Sequence, residues 1–423
     1  MFLLSNQPLP MHVAKFPSFA NVVALEVGQE CTGAMAKIPA ILALEDGTIL
    51  SGYAFGDTEA EAAGEVVFNT GMTGYQEVLT DPSYRGQILT FTYPHIGNYG
   101  INPDDWESDQ FQAEGVIVRE YSRSYSNWRA RQSLEQWMQE HRKIGIEGID
   151  TRFLVRHLRS VGVMRGIISA KETDPQKLVR RAQEIPAMEG QNLARLVGTR
   201  TTYYWQLDND TLLPPPQHKA SRPFKVAVID FGVKKNILRR LALYGCQLTV
   251  LPQTATAAEI LEAQPDGIFL SNGPGDPAAV HDGIRLIQEL CHSGTPVFGI
   301  CLGHQLIALA FGARTYKLKF GHRGINHPVK NLLTGSIEIT SHNHGFAVDP
   351  DSLPSELEIT HLSLYDQTVE GFRHRELPIF CVQYHPEAAP GPHDADYLFA
   401  EFLRLMETPS LAPFAHATIT EVA

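Results

Sequence analysis

The stretch Thr295-Pro-Val-Phe-Gly-Ile-Cys-Leu-Gly-His-Gln-Leu-Ile-Ala-Leu-Ala310 decides how the C-terminal half of the chain folds. Pro296 to Ile300 is a short apolar run of the buried-strand type and Gln305 to Ala310 starts as a helix, so Gly299-Ile-Cys301-Leu-Gly303 turns sharply between them. Glycines two residues either side of the cysteine permit a tight, strained turn that lifts its side chain out of a sheet, the geometry of a nucleophile elbow. Unpaired N–H groups at the helix N-terminus would stabilise a thiolate there. A lone cysteine in an apolar run is otherwise a small buried hydrophobe; the flanking glycines favour the nucleophile.

Upstream of the elbow, strand and helix alternate. Lys225 to Asp230, Gln247 to Leu251 and Gly267 to Leu270 read as strands, and Lys234 to Tyr244, Thr256 to Ala263 and Ala279 to Cys291 as helices. This order predicts a mostly parallel sheet flanked by helices on both faces, with ligands at the carboxyl ends of its strands. Downstream, Gly335 to Glu370 reads as shorter antiparallel strands, and a last helix spans Asp394 to Met406.

Two further motifs sit at strand ends. In Ile379-Phe-Cys-Val-Gln-Tyr-His385-Pro-Glu387 an apolar strand delivers His385, Pro386 stops the ladder, and Glu387 is positioned to return to the imidazole. A thiol needs an adjacent base and the base an orienting group, so Cys301, His385 and Glu387 supply nucleophile, base and orienter. The loop Leu270-Ser-Asn-Gly273-Pro-Gly275-Asp-Pro277 turns backbone N–H groups into a concavity suited to an oxyanion. It lacks the Gly-Lys-Ser/Thr of a phosphate loop, and no GxGxxG is present.

The whole chain has 423 residues, enough for two domains, and a 43% apolar fraction suited to a globular protein. Its 35 basic and 47 acidic residues leave a net charge of −12, which argues against a nucleic-acid or anionic-membrane surface. Five dispersed cysteines (Cys31, Cys246, Cys291, Cys301, Cys381) form neither a disulfide framework nor a CxxC metal pattern, which points to a reducing cytoplasm. The apolar stretch Pro296 to Ala313 contains His304 and Gln305 and reads as strand-turn-helix rather than a membrane span.

The first half reads as an α+β domain. Ala40 to Glu45 and Thr48 to Tyr53 flank an Asp46-Gly47 turn as a hairpin, and further strands are expected at Glu65 to Asn69, Gln87 to Tyr93, Gly115 to Arg119 and Val163 to Ser169. Helical periodicity runs over Asn127 to His141 and over Thr151 to Arg159, the latter capped by Asp150. The expected organisation is a weakly ordered extension over 1–37, a first domain over 38–198, a linker over 199–223 around Pro214-Pro-Pro216, a second domain over 224–408 and a tail over 409–423. Met1 to Ala34 has neither a charged n-region nor arginines, so it resembles no targeting peptide, and Met35 is an alternative start.

Together, Gly299-Ile-Cys-Leu-Gly-His-Gln305, His385-Pro-Glu387 and Ser271-Asn-Gly-Pro-Gly-Asp-Pro277 resemble the class I glutamine amidotransferase domain. Asp230-Phe-Gly-Val-Lys-Lys-Asn-Ile-Leu-Arg239, Lys319-Phe-Gly-His-Arg-Gly-Ile-Asn-His-Pro328, Asn343-His-Gly-Phe-Ala-Val-Asp349 and Pro386-Glu-Ala-Ala-Pro-Gly-Pro-His-Asp394 narrow the resemblance to the small chains of carbamoyl-phosphate synthase. In the first domain, Gly64-Glu-Val-Val-Phe-Asn-Thr-Gly-Met-Thr-Gly-Tyr-Gln-Glu77, Thr80-Asp-Pro-Ser-Tyr84 and Thr92-Tyr-Pro-His-Ile-Gly-Asn98 do the same. The resemblance implies Cys301, His385 and Glu387 as a catalytic triad, and L-glutamine contacts from Ser83, Gly273, Gly275, Leu302, Gln305, Asn343, Gly345 and Phe346. It also implies a large synthetase chain as partner, holding ATP and magnesium and receiving ammonia through an internal passage to make carbamoyl phosphate for arginine and pyrimidine synthesis. No cofactor, metal, nucleic acid or membrane is expected on this chain.

Three rival readings are compatible with parts of the sequence. His342-Asn-His344, His385, Glu387 and His393 can be grouped on paper as metal ligands of a hydrolase, which leaves the glycine-framed cysteine without a task. An inactive amidotransferase serving as a regulatory subunit would not need all three triad residues. A glutaminase feeding another synthetase would not need the first domain.

Overall fold

The structure, a computed structural model, describes residues 37–207, 216, 220 and 222–408. The extension expected over 1–37, save Lys37, the tail over 409–423 and most of the proline run lie outside the described residues. The first half holds β1 (Ile38–Leu44), β2 (Ile49–Gly56), β3 (Glu61–Asn69), α1 (Tyr75–Thr80), β4 (Gln87–Phe91), β5 (His95–Ile96), β6 (Gly115–Ile117), β7 (Glu120–Tyr121), α2 (Leu134–Glu140), β8 (Ile144–Glu147), α3 (Thr151–Val161), β9 (Met164–Ser169), α4 (Pro175–Glu184) and α5 (Ala194–Val197).

The expected first hairpin forms, with Ala43 opposite Ile49 and Gly47 at φ 93°, where a side chain would be strained. Seven strands close into a barrel in the order β1-β2-β8-β6-β4-β3-β9, and β5 with β7 makes a separate ribbon. Inside the barrel, Leu42, Val66, Ile88, Ile117, Ile146 and Ile168 form one apolar cluster. The helix expected over Asn127 to His141 is shorter. It starts after Ser133, whose hydroxyl accepts from the Gln136 N–H while the Gln136 side chain accepts from the Ser133 N–H. The residues before it are committed elsewhere: Asn127 closes a turn on the Arg129 N–H at 2.9 Å, and the Gln132 carbonyl takes the Ile101 N–H at 2.9 Å.

The second half holds β10 (Tyr203–Trp205), β11 (Phe224–Asp230), α6 (Lys235–Leu243), β12 (Cys246–Pro252), α7 (Ala257–Glu262), β13 (Gly267–Leu270), α8 (His281–Cys291), β14 (Val297–Ile300), α9 (Leu302–Ala310), β15 (Thr315–Asn331), β16 (Ile337–Val348), β17 (Leu357–Ser363), β18 (Val369–His374), β19 (Ile379–Val382) and α10 (Tyr397–Glu407). Its strands make one sheet in the order β10-β12-β11-β13-β14-β19-β18-β17-β15-β16, whose centre, β12 to β19, is parallel. Helices α7, α8 and α9 cover one face, and α6 with α10 the other.

Two differences from expectation have local causes. Tyr203–Trp205, in the presumed linker, adds antiparallel to β12 because Tyr203 and Trp205 pack on the core under α6 and α10. The antiparallel part is longer than expected: β15 runs 17 residues and bends at two register shifts, and its Lys, Arg and His residues hide the strand from apolar patterning.

From Ile38 onward the chain is one compact unit. Beneath the elbow, Phe298 stacks on Phe380 at 4.3 Å and meets Phe269 edge-on at 5.3 Å. Phe298→Ala should therefore cost about 3–5 kcal/mol in denaturant unfolding, the usual range for emptying a buried aromatic site. A loss below about 1 kcal/mol would mean that this core collapses around the void.

Candidate active site

Strand β14 ends at Ile300, and Cys301 follows with φ 54° and ψ −102°, a left-handed backbone that costs a non-glycine residue about 1–3 kcal/mol. The surroundings impose it. The Cys301 N–H bonds the Val382 carbonyl at 2.9 Å, and a Cβ on Gly303 would lie 2.4 Å from the Leu270 carbonyl oxygen. A Cβ on Gly299 would meet the flexible end of Ile307 at 2.7 Å and the Gly303 carbonyl carbon at 3.0 Å, a tight fit, whereas at Gly303 the obstacle is backbone and a side chain is barred outright. The Cys301 side chain, 2% exposed, sits at the start of α9 with its Sγ 3.8 Å from the Asn343 carbonyl.

His385 stands three residues beyond β19 and is held by its N–H on the Ser341 carbonyl at 2.8 Å. Its Nδ1 lies 2.7 Å from Glu387 Oε1, and that carboxylate must accept, so Nδ1 carries the proton. Nε2 is buried without a hydrogen bond of normal geometry, yet the Cys301 sulfur is close enough to favour the imidazolium. Burial opposes that charge, but Glu387 and Cys301 outweigh it and raise the His385 pKa. Glu387 moves the other way, from 4.5 down to about 2, because Lys234 and His385 overcome the burial penalty.

Lys234 is the residue that sequence reasoning left without a role. Its Nζ is 2.9 Å from Glu387 Oε1 and 2.7 Å from the Ala388 carbonyl, and its backbone N–H bonds Asn272 Oδ1 at 3.0 Å. It sits inside the quoted Asp230-to-Arg239 motif, but a lysine opening a helix ordinarily reads as solvated. Asn236 Nδ2 adds a bond to the Glu387 carbonyl at 2.5 Å, so the sites after β11, β14 and β19 meet at one edge of the sheet.

The barrel side closes that edge. Ser83 Oγ accepts from Asn272 Nδ2 at 2.9 Å, and Asp81 Oδ2 accepts from Asn343 Nδ2 at 2.9 Å. Asp81 also caps the short turn holding Ser83, through the Ser83 N–H at 2.9 Å. Gly273 and Gly275 press on neighbours that leave no room for side chains: Cβ atoms there would lie 2.3 Å from the Phe231 carbonyl and 2.5 Å from that of Gln191. Leu302 opens α9 beside Gly273. Gln305 lies one turn further on and donates to the Phe346 carbonyl at 2.8 Å and to Gln383 Oε1 at 2.9 Å. Phe346 forms an apolar wall with Met188 and Leu193, and Gly345 lies against the buried guanidinium of Arg323. The paper grouping of metal ligands comes apart, since His385 pairs with Glu387, His393 is exposed, and His342 and His344 gather with His322 and Glu370 instead.

A strained cysteine, a buried His–Glu pair and a glycine-shaped loop meet at one sheet edge, the arrangement that a cysteine nucleophile, its base and an oxyanion pocket require. Residues 227–405 match the class-I glutamine amidotransferase family, and residues 42–168 match the CPSase domain of carbamoyl-phosphate synthase small chains. Among curated relatives, the carbamoyl phosphate synthase small chain of Chlorobaculum tepidum is 56% identical over 88% of this chain and 99% of its own. That of Aquifex aeolicus is 55% identical over 87% and 99%, and that of a Synechococcus strain 54% over 89% and 95%. The chain belongs to the carbamoyl phosphate synthase small-chain family.

The charge cluster predicts a pH window. Glu387, depressed in the fold, contributes stability above its ordinary 4.5 that is lost as pH falls toward about 2, whereas His385, raised, contributes below 6.5 and loses this as pH rises. Lys234→Met should cost about 3–5 kcal/mol near pH 6, because it strands a buried carboxylate, and the deficit should shrink in acid as Glu387 protonates. Denaturant titrations from pH 3 to 8 would check this; a uniform deficit below about 1 kcal/mol would exclude a strong Lys234–Glu387 pair.

Proposed function

We propose that this chain is the glutamine-hydrolysing subunit of carbamoyl-phosphate synthase and that Cys301, His385 and Glu387 perform the hydrolysis. The observation that carries the assignment of roles is the strained Cys301 beside the buried His385–Glu387 pair. The Cys301 thiolate attacks the side-chain amide carbon of glutamine, with the Gly275 and Leu302 N–H groups receiving the oxyanion. His385, as imidazolium, protonates the departing ammonia, leaving a glutamyl thioester. His385 then takes a proton from water, which attacks the thioester and releases glutamate. Glu387 accepts from His385 Nδ1 and favours the imidazolium, and Lys234 keeps Glu387 ionised.

Ser83, Gly273, Gln305, Asn343, Gly345 and Phe346 hold the glutamine, so both halves of the chain contribute to one site. The partner is a large chain that takes the ammonia and carries ATP and magnesium; support comes from the relatives, each of which is called a small chain. We place the enzyme in the cytoplasm, where free Cys246, Cys291, Cys301 and Cys381 stay reduced. Among the described residues no helix is long and apolar enough to cross a membrane.

Cys301→Ser in the complex with the large chain should lower glutamate release by at least about 10³-fold, while carbamoyl phosphate formation from added ammonia persists. Glutamate release near the unsubstituted rate would refute the role of Cys301.

A further inference from the structure

Behind the glutamine site, His322 on β15, His342 and His344 on β16, and Glu370 on β18 bring one ligand atom each to within 4.8 Å of one another. All four are buried, at 5%, 2%, 5% and 0% exposure. None takes part in the proposed hydrolysis. On β16 they alternate with Asn343, which bonds Asp81 across the seam, so one strand presents amide and imidazoles to opposite sides.

The outer hydrogen bonds fix which ring nitrogens face inward. His344 Nδ1 is 2.8 Å from the Phe346 carbonyl and must donate to it, which leaves Nε2 with a lone pair in the neutral ring. Thr340 Oγ1 spends its proton on the His327 carbonyl at 2.9 Å, so His342 Nε2, 2.8 Å from that hydroxyl, must donate as well. His342 Nδ1 and His344 Nε2 then face each other 3.2 Å apart as two acceptors. His322 Nε2 is held by Asp366 Oδ2 at 2.9 Å, which turns Nδ1 toward Glu370 Oε1 at 3.5 Å. Glu370 Oε2 is buried without a hydrogen bond, 3.7 Å from His342 Nδ1.

Opposed lone pairs in a dry site repel unless a cation lies between them. We propose that His322 Nδ1, His342 Nδ1, His344 Nε2 and Glu370 form a tetrahedral binding site for a divalent cation of the zinc type. Zn–N bonds of about 2.0–2.1 Å in a tetrahedron put neighbouring ligand atoms about 3.3–3.4 Å apart. His342 and His344 meet at 3.2 Å, His322 lies 3.5 Å from Glu370 Oε1 and His342 3.7 Å from Glu370 Oε2, and the widest separations, within 4.8 Å, close as the side chains draw in on an ion. Each imidazole has its other nitrogen bonded to a carboxylate, hydroxyl or backbone carbonyl, the outer shell that orients metal-bound histidines. Glu370 and Asp366 together balance a dication. Four ligands from the protein close the coordination sphere, so the ion clamps β15, β16 and β18 together and activates no water.

The full chain, stripped with chelator and dialysed against Zn²⁺, should retain about one ion per chain by elemental analysis, and Co²⁺ should give the intense visible bands of a tetrahedral site. His342→Gln and Glu370→Gln should each abolish the cobalt bands, and stripping the unsubstituted chain should lower its Tm. The cobalt spectrum of the unsubstituted chain stands even where a variant fails to fold. No retained zinc, octahedral cobalt bands, or bands unchanged in both variants would overturn the site. So would a proton shared by His342 and His344, seen by nitrogen NMR and undisturbed by added Zn²⁺.

Discussion

The buried contact between Lys234 and Glu387 is the constraint on which the candidate site rests. Taking two charges out of water costs several kcal/mol each, and mutual attraction offsets this only when the remaining polar atoms are also bonded. Here Lys234 Nζ reaches both Glu387 Oε1 and the Ala388 carbonyl, His385 Nδ1 donates to the same Oε1, and Asn236 holds the Glu387 carbonyl. Glu387 Oε2 is buried without a hydrogen bond, so the carboxylate depends on Lys234 and His385 alone. The backbone that carries His385 is thereby fixed at Glu387 and Ala388, and Ala388 and Ala389 adopt left-handed φ values of 58° and 54°. An ionised Glu387 in turn determines the imidazole: Nδ1 carries the proton, and Nε2 is the nitrogen left for Cys301. One ion pair thus sets the tautomer, the ring orientation and the charge preference of the proposed base.

A parallel sheet presents functional groups at the carboxyl ends of its strands, but that edge is open unless something covers it. The barrel half covers it here. Asp81 holds Asn343, Ser83 meets Asn272, and buried Glu107 accepts the Asn236 N–H at 3.0 Å from the first turn of α6. Burial raises Glu107 to about 7, while Lys234 and Arg239 oppose the rise. The seam is therefore polar and hydrogen-bonded rather than oily, which favours register over raw adhesion. It buries the Cys301 thiol and brings Ser83 of the other half against Asn272 in the loop after β13.

Local chemistry was legible in the sequence and non-local pairing was not. Glycines at 299 and 303 announce the elbow because their requirement is steric and confined to one turn. The His385-Pro-Glu387 motif is likewise a single strand end. Barrel closure joins strands as distant as β1 and β9, and nothing in either strand specifies its neighbour. Strand β15 escaped in part because His322, Arg323 and His327 break the apolar alternation by which strands are recognised, although two of them are buried below 6%. Lys234 escaped for the same reason, since its burial is a property of the seam and not of its own helix. Helix α2 began later than its periodicity because a capping box at Ser133 outweighs six more residues of weak pattern.

Those hidden polar residues share a physical logic. A core built from Leu and Val needs no partners, whereas each buried imidazole, guanidinium or carboxylate needs one for every proton and lone pair. Strand β16 carries both kinds of demand within three residues. Asn343 satisfies its own on the barrel side, with its carbonyl toward Cys301 and its amide on Asp81. His342 and His344 satisfy only their outer nitrogens within the chain, because Thr340 and Phe346 pin them from behind. The period of two that separates the faces also couples them: whatever holds the two imidazoles fixes the strand that positions Asn343, Gly345 and Phe346. Rigidity on the Cys301 side is thus set from the far side of the same strand, by residues that take no part in the Asn343–Cys301 contact.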